Sequence, residues 1–171
     1  MNVISVDPGV TSSGFFVFEY GRERSVCLKR DVDDDRPTFS PNPQYWYLTR
    51  LRQRVSELSA CSSMAIVESY PFTMDASRTA YAIEAGGVVR EVLTAMHVPI
   101  LVMPIPVWKA AVRLKLPKKG RSTGDDERYL SEVERRFDRR FGTTDEADAF
   151  LMYVAALAIW RGEYATEAAA R

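Results

Sequence analysis

The sequence predicts an α/β fold: a mixed five-stranded sheet, three antiparallel strands followed by two parallel ones, flanked by helices. Three observations carry this expectation. The first thirty residues hold three short strand-like segments separated by turn signals, for which an antiparallel meander is the natural arrangement. After residue 43, stretches with apolar residues at helical spacing alternate with two short apolar runs. The last helical stretch is apolar on nearly every face, as expected of an element buried against a sheet.

Taken in order, residues 2–6, NVISV, read as a buried strand closed by the turn signal Asp7-Pro8-Gly9. Residues 14–19, GFFVFE, rich in aromatics and Val, read as a second strand. Residues 24–30, RSVCLKR, read as a third, with Tyr20-Gly21-Arg22-Glu23 as the hairpin turn. Residues 31–43 are loop-like, an acidic run followed by Pro37, Pro41 and Pro43. A helix over about 44–59 follows from the spacing of Tyr47, Leu48, Leu51, Val55 and Leu58, its other face carrying Arg50, Arg52 and Arg54.

Residues 64–67, MAIV, form a short apolar strand ending at Glu68. A second long helix covers about 75–96 and contains Gly86-Gly87. Each glycine there costs roughly 1 kcal/mol against alanine, so close packing is the expected reason for the pair. Residues 99–103, PILVM, read as another buried strand. A helix near 106–114, the basic loop LKLPKKGRSTG, a charged helix over about 125–138 and a last helix from about Thr144 to Arg161 complete the chain. The order βββ-α-β-α-β-α-α-α resembles that of the RNase H-like fold. With no repeat or boundary in the pattern, residues 1–171 are expected to form a single domain, with about 162–171 as a flexible tail.

Composition narrows the chemistry. At 46% hydrophobic residues the chain is expected to build a globular core. It has no apolar run long enough to cross a bilayer, and its first residues lack the pattern of a secretory signal. Cys27 and Cys61 lie far apart in no CxxC pattern and read as reduced packing residues of a cytoplasmic protein. His97 is the single histidine, which excludes a Cys/His zinc site and any mechanism needing two histidines. Acid–base chemistry is left to carboxylates, a lysine or a metal-activated water. Net charge is zero and the pI about 6.6. The distribution is uneven, however: Lys109, Arg113, Lys115, Lys118, Lys119 and Arg121 fall in a stretch without an acid.

Acidic residues stand at the edges of strongly apolar elements, where an unpaired charge is costly. Asp7 ends the first strand and Glu68 ends MAIV; either alone reads as a turn residue or a solvated strand end. Asp145, Glu146 and Asp148 open the last helix. Thr143-x-x-Glu146 is a capping box, so Glu146 reads as the capping residue, able to stand in for Asp145. Asp145 and Asp148, three apart, share a helix face. If the last helix crosses the sheet, Asp7, Glu68, Asp145 and Asp148 converge. Oxygen-only ligands suit Mg²⁺, with Mn²⁺ able to substitute. Two such ions ~3.5–4 Å apart can activate a water and stabilise a leaving 3′-oxygen in phosphodiester hydrolysis.

These same segments carry a family resemblance. VISVDPGVTSSGFFVFE resembles the first hairpin of the RuvC-type Holliday-junction resolvases, AIVESYPF their apolar strand ending in a catalytic Glu, and DEADAFLMYVAA their closing Asp-x-x-Asp helix. DASRTAYAIEAGGVVREVL resembles the helix that contributes to the family's homodimer interface, and PVWKAAV the segment supplying a basic active-site residue. The resemblance runs from residue 1 to about 160. It implies a Mg²⁺-dependent endodeoxyribonuclease with Asp7, Glu68, Asp145 and Asp148 as metal ligands and Lys109 as the active-site lysine. It also implies a homodimer making paired symmetric nicks across a four-way junction, in a bacterial or phage-infected cell.

For DNA contacts, the family places a further basic residue in the region of Lys118, Lys119 and Arg121; with Lys115 these form a loop suited to phosphates. An aromatic wedge into the junction falls on Tyr70 or Phe72, with Pro71 between them as a departure from the family pattern. Three alternatives stand beside this reading. One is an RNase H-like nuclease acting on RNA or RNA–DNA hybrids. Another is a non-catalytic junction-binding protein. The third is a nucleotide-binding module, because residues 7–14 also resemble the phosphate loop of the actin and sugar-kinase superfamily.

Overall fold

A computed structural model describes residues 1–30, 43–69, 76–113 and 123–163. Three strands come first: β1 (Val3–Asp7), β2 (Ser12–Glu19) and β3 (Arg22–Lys29). Helices and strands then alternate as α1 (Pro43–Ser59), β4 (Met64–Glu68), α2 (Ala76–Ala95), β5 (Ile100–Met103) and α3 (Ile105–Val112). The helices α4 (Thr123–Phe137) and α5 (Thr144–Trp160) follow. The strands form a five-stranded sheet in the order β3-β2-β1-β4-β5. β1–β2 and β2–β3 pair antiparallel, β1–β4 and β4–β5 parallel. This is the mixed sheet of the RNase H-like fold that the element order predicts.

Strand side chains alternate between faces, and that alternation divides the core in two. Val3, Phe16, Ile66 and Met103 point to one face, under α3, α4 and α5. Ile4, Val6, Phe15, Val17, Ala65 and Val67 point to the other, under α1 and α2. Helix α5 lies across β1, β2, β3 and β4. Its residues Ala149 to Tyr153 are all buried, as the apolar run after Asp148 predicts. Phe150 anchors it, with ring centroids 5.2 Å from those of Phe16, Phe137 and Phe141.

The structure departs from the sequence expectations at three places. The β2–β3 turn has two residues, not four: Glu19 pairs with Arg22, and Tyr20 and Gly21 take φ of 50° and 76°. Positive φ at both central positions gives a turn whose twist matches the strands it joins, which leaves Arg22 and Glu23 in β3. β5 is not a buried strand: Leu101 and Val102 are 40% and 43% exposed. It is the edge of the sheet, with β4 as its neighbour, and a short apolar run does not reveal that position. Finally, a Cβ at Gly87 meets open space, so close packing within the chain does not explain this glycine. Among the described residues no helix is long and apolar enough to cross a membrane.

Candidate active site

Parity and pairing bring the strand-end acids together. Asp7 shares the face of Val3 and Ser5, and Glu68 that of Met64 and Ile66; both faces lie under α5. β1 and β4 are parallel neighbours, so their C-terminal ends stand side by side. Asp7 pairs across the sheet with Gly14. A Cβ at Gly14 would lie 2.0 Å from the carbonyl oxygen of Asp145. Glycine is therefore what lets the first turn of α5 rest on β2 beside Asp7. The outcome is a cleft of about 270 Å³ lined by Asp7, Glu68, Asp145, Asp148 and Lys109, with Pro8, Gly9, Val10, Ala82 and Ile105.

Asp7 and Glu68 are each 8% exposed and Asp148 is 4% exposed, while Asp145 is half-buried. Carboxylates at such depth need hydrogen-bond donors, and α3, α4 and β2 supply them. Trp108 of α3 donates its Nε1–H to Glu68 Oε1 at 2.8 Å. The Tyr129 hydroxyl of α4 donates to Asp148 Oδ1, and the Ser12 hydroxyl donates to Asp145 Oδ2. All three donors are neutral, so these bonds orient the carboxylates without cancelling their charge. The Lys109 side chain is exposed on the rim, with Nζ 5.2 Å from the centroid of the Trp108 ring.

The Asp7-Pro8-Gly9 turn is fixed from below. Ser13 Oγ accepts the Gly9 N–H at 3.3 Å, and the Tyr47 hydroxyl donates to the Gly9 carbonyl at 3.2 Å. The two side-chain oxygens, Ser13 Oγ and the Tyr47 hydroxyl, are 2.6 Å apart and share a hydrogen bond. A Cβ at Gly9 would lie 2.0 Å from the Ser12 carbonyl oxygen, so this turn also requires glycine. At the other side of the cleft, Thr143 Oγ1 accepts the Glu146 N–H at 3.2 Å. The Glu146 carboxylate reaches back to the Gly142 N–H at 3.0 Å, one residue before the position an ideal capping box uses. Glu146 is thus a capping residue, and it does not line the cleft.

Nearby titratable groups register the negative field. Burial first, then the charge and hydrogen bond of Asp148, then the charges of Asp7 and Glu68, push the Tyr129 phenol far above the ordinary tyrosine range. Burial likewise raises Tyr47, with Asp145 and Asp7 adding to it against a lowering hydrogen bond from Ser13. Burial also raises the Cys27 thiol, and the charges of Asp145 and Glu146 add to that.

No protein-family model and no curated protein sequence matches the chain. Among solved structures it is similar to Thermus thermophilus RuvC in complex with a Holliday junction substrate, with a TM-score of 0.69 over 96% of this chain and 97% of that one. The chain has the RuvC fold. Identity to that structure is 18%. A second structure of Thermus thermophilus RuvC gives a TM-score of 0.59 at 19% identity, over 96% of this chain and 98% of that one. At such identities the likeness to RuvC speaks for the fold, and the chemistry has to be argued from this chain's own residues.

On that RuvC fold the five residues expected to be catalytic, Asp7, Glu68, Asp145, Asp148 and Lys109, line the same cleft. Lys115, Lys118, Lys119, Arg121, Tyr70 and Phe72, expected to contact DNA, lie outside the described residues. That Ser12, Ser13, Tyr47, Trp108 and Tyr129 support this site is not legible in the sequence. Tyr47 and Tyr129 stand in the apolar stripes of their helices, which foretells burial; nothing in the spacing tells which polar atom each would meet.

Proposed function

We propose that this chain is a divalent-cation-dependent endonuclease that resolves four-way DNA junctions, acting as a homodimer that makes paired symmetric nicks. One observation carries the reading: on the RuvC fold, four carboxylates and a lysine from four separate elements line a single cleft. The RuvC structure similar to this chain holds a Holliday junction substrate.

The donor set fits a hard cation, since every acidic ligand candidate in the cleft offers oxygen. Among the described residues no three acidic, histidine or cysteine side chains form a ready-made cage. Mg²⁺ keeps several waters and is typically held by one or two carboxylates together with substrate phosphate oxygens. Asp7, Glu68, Asp145 and Asp148 would hold it, with Mn²⁺ as a substitute and two ions per site as the working number. When bound, such cations acidify water and offset the charge that develops on a phosphodiester and its leaving 3′-oxygen.

The chain's own residues supply the rest. Trp108, Tyr129 and Ser12 keep three carboxylates turned in fixed directions. Lys109 brings a positive charge to the rim, where it offsets charge on a phosphate entering the cleft. Pro8, Val10, Ala82 and Ile105 give that cleft apolar walls, which strengthen every electrostatic interaction inside it. Lys115, Lys118, Lys119 and Arg121 would hold the phosphate backbone, and Tyr70 or Phe72 would wedge into the junction centre. Support for a homodimer comes from α2, which exposes Ile83 and, one turn on, leaves open space over Gly87.

The test sets a synthetic four-way junction beside a linear duplex and an RNA–DNA hybrid, each with Mg²⁺, with Mn²⁺ or with EDTA. Symmetric nicks confined to the junction, and abolished by EDTA, support the reading. Preferential cutting of the hybrid replaces it with the RNA-directed alternative.

A further inference from the structure

We propose that Trp108 and Tyr129 are positioning residues, which hold Glu68 and Asp148 from beneath the cleft and set the directions of their oxygens for cation binding. Both are among the most completely buried side chains, with Trp108 0% and Tyr129 1% exposed. Both belong to the apolar cluster under α5, where packing by itself asks for no polar atom. Leaving a buried indole N–H or phenol O–H without an acceptor is costly. Here each finds a carboxylate of the cleft: Glu68 Oε1 lies 2.8 Å from Trp108 Nε1, and Asp148 Oδ1 accepts from Tyr129.

Neither aromatic lines the cleft, so both act through the carboxylate they hold. They come from different helices, α3 and α4, and they grip acids from different elements, β4 and α5. Trp108 has a second contact on the site side, since its ring lies under the Lys109 ammonium. One indole thus ties the orientation of Glu68 to the helix that carries Lys109. Hydrogen bonds to a metal-binding carboxylate from such outer groups typically change metal affinity or activity about ten- to hundredfold.

The proposal rests on the nuclease reading for its activity arm alone. The test uses Tyr129→Phe and Trp108→Phe, which remove a hydroxyl and an N–H while keeping an aromatic ring in the core. Mn²⁺ is titrated into the free protein and followed by electron paramagnetic resonance. In parallel, melting temperature, junction affinity and single-turnover nicking are measured. Expected are a Mn²⁺ affinity about ten- to hundredfold weaker and a comparable loss of nicking rate, with junction affinity within about twofold of wild type.

Variants that melt earlier yet bind Mn²⁺ as wild type does overturn the proposal, leaving the pair as core residues. So does wild-type protein that takes up no Mn²⁺. A wild type that binds Mn²⁺ but never nicks a junction overturns the nuclease reading, while the Mn²⁺ comparison still decides the positioning role. The two variants are independent arms, so loss of folding in one leaves the other to decide; loss in both overturns the proposal.

Discussion

Asp7 and Glu68 face the cleft because of their parity within β1 and β4, where a shift of one residue would turn each to the α1–α2 face. Their position at the ends of apolar strands is legible in the sequence, and so is the shared face of Asp145 and Asp148. What the sequence does not show is the support beneath them, because a hydrogen bond such as Tyr129 to Asp148 depends on how α4 meets α5. Lys109 is predicted to act on the reaction and not on the fold. Lys109→Ala should lower the single-turnover nicking rate about a hundredfold, the scale of removing one preorganised charge-stabilising group, with the melting temperature unchanged because the side chain is exposed. A nicking rate equal to wild type removes Lys109 from the site.

At the scale of elements, the decisive contact is between β2 and the first turn of α5. Gly14→Ala places a methyl group where the Asp145 backbone now lies, so the helix must lift from the strand. Thermal melting of this variant should show a lower midpoint, and junction nicking should fall with it because Asp145 and Asp148 move together. A melting curve and nicking rate like those of wild type contradict the role given to this glycine. Deeper along α5, Phe150→Ala removes the ring that meets Phe16, Phe137 and Phe141 and should cost about 3–5 kcal/mol in urea unfolding. The apolar run of α5 makes its burial legible in the sequence. The close approach at Gly14 is not, since a glycine near the start of a strand-like segment reads equally as part of a turn. β5 marks the other limit: its apolar residues read as buried, while its place at the sheet edge depends on the order of all five strands.

Across the whole molecule, zero net charge conceals a cleft gathering four carboxylates and a basic stretch in sequence between α3 and α4. Stability should reflect the buried phenols. Tyr47 and Tyr129 hold their protons above the ordinary tyrosine range in the folded protein, whereas the unfolded chain releases them near pH ~10. The folded state therefore binds more protons above that pH. The stability is fully present below it and is lost as pH rises further. Melting temperatures followed from about pH 8 to about pH 11 should fall through the upper end of that range, and less steeply for Tyr47→Phe.

That the clustered carboxylates cut DNA is the proposal on which the other activity predictions depend. It is tested most directly on a four-way junction with Mg²⁺, comparing wild type with Asp7→Asn and Glu68→Gln. Wild type should give symmetric nicks, and both variants should bind the junction with similar affinity but give no product. Wild type that binds without cutting in either Mg²⁺ or Mn²⁺, or variants that cut at the wild-type rate, would contradict it.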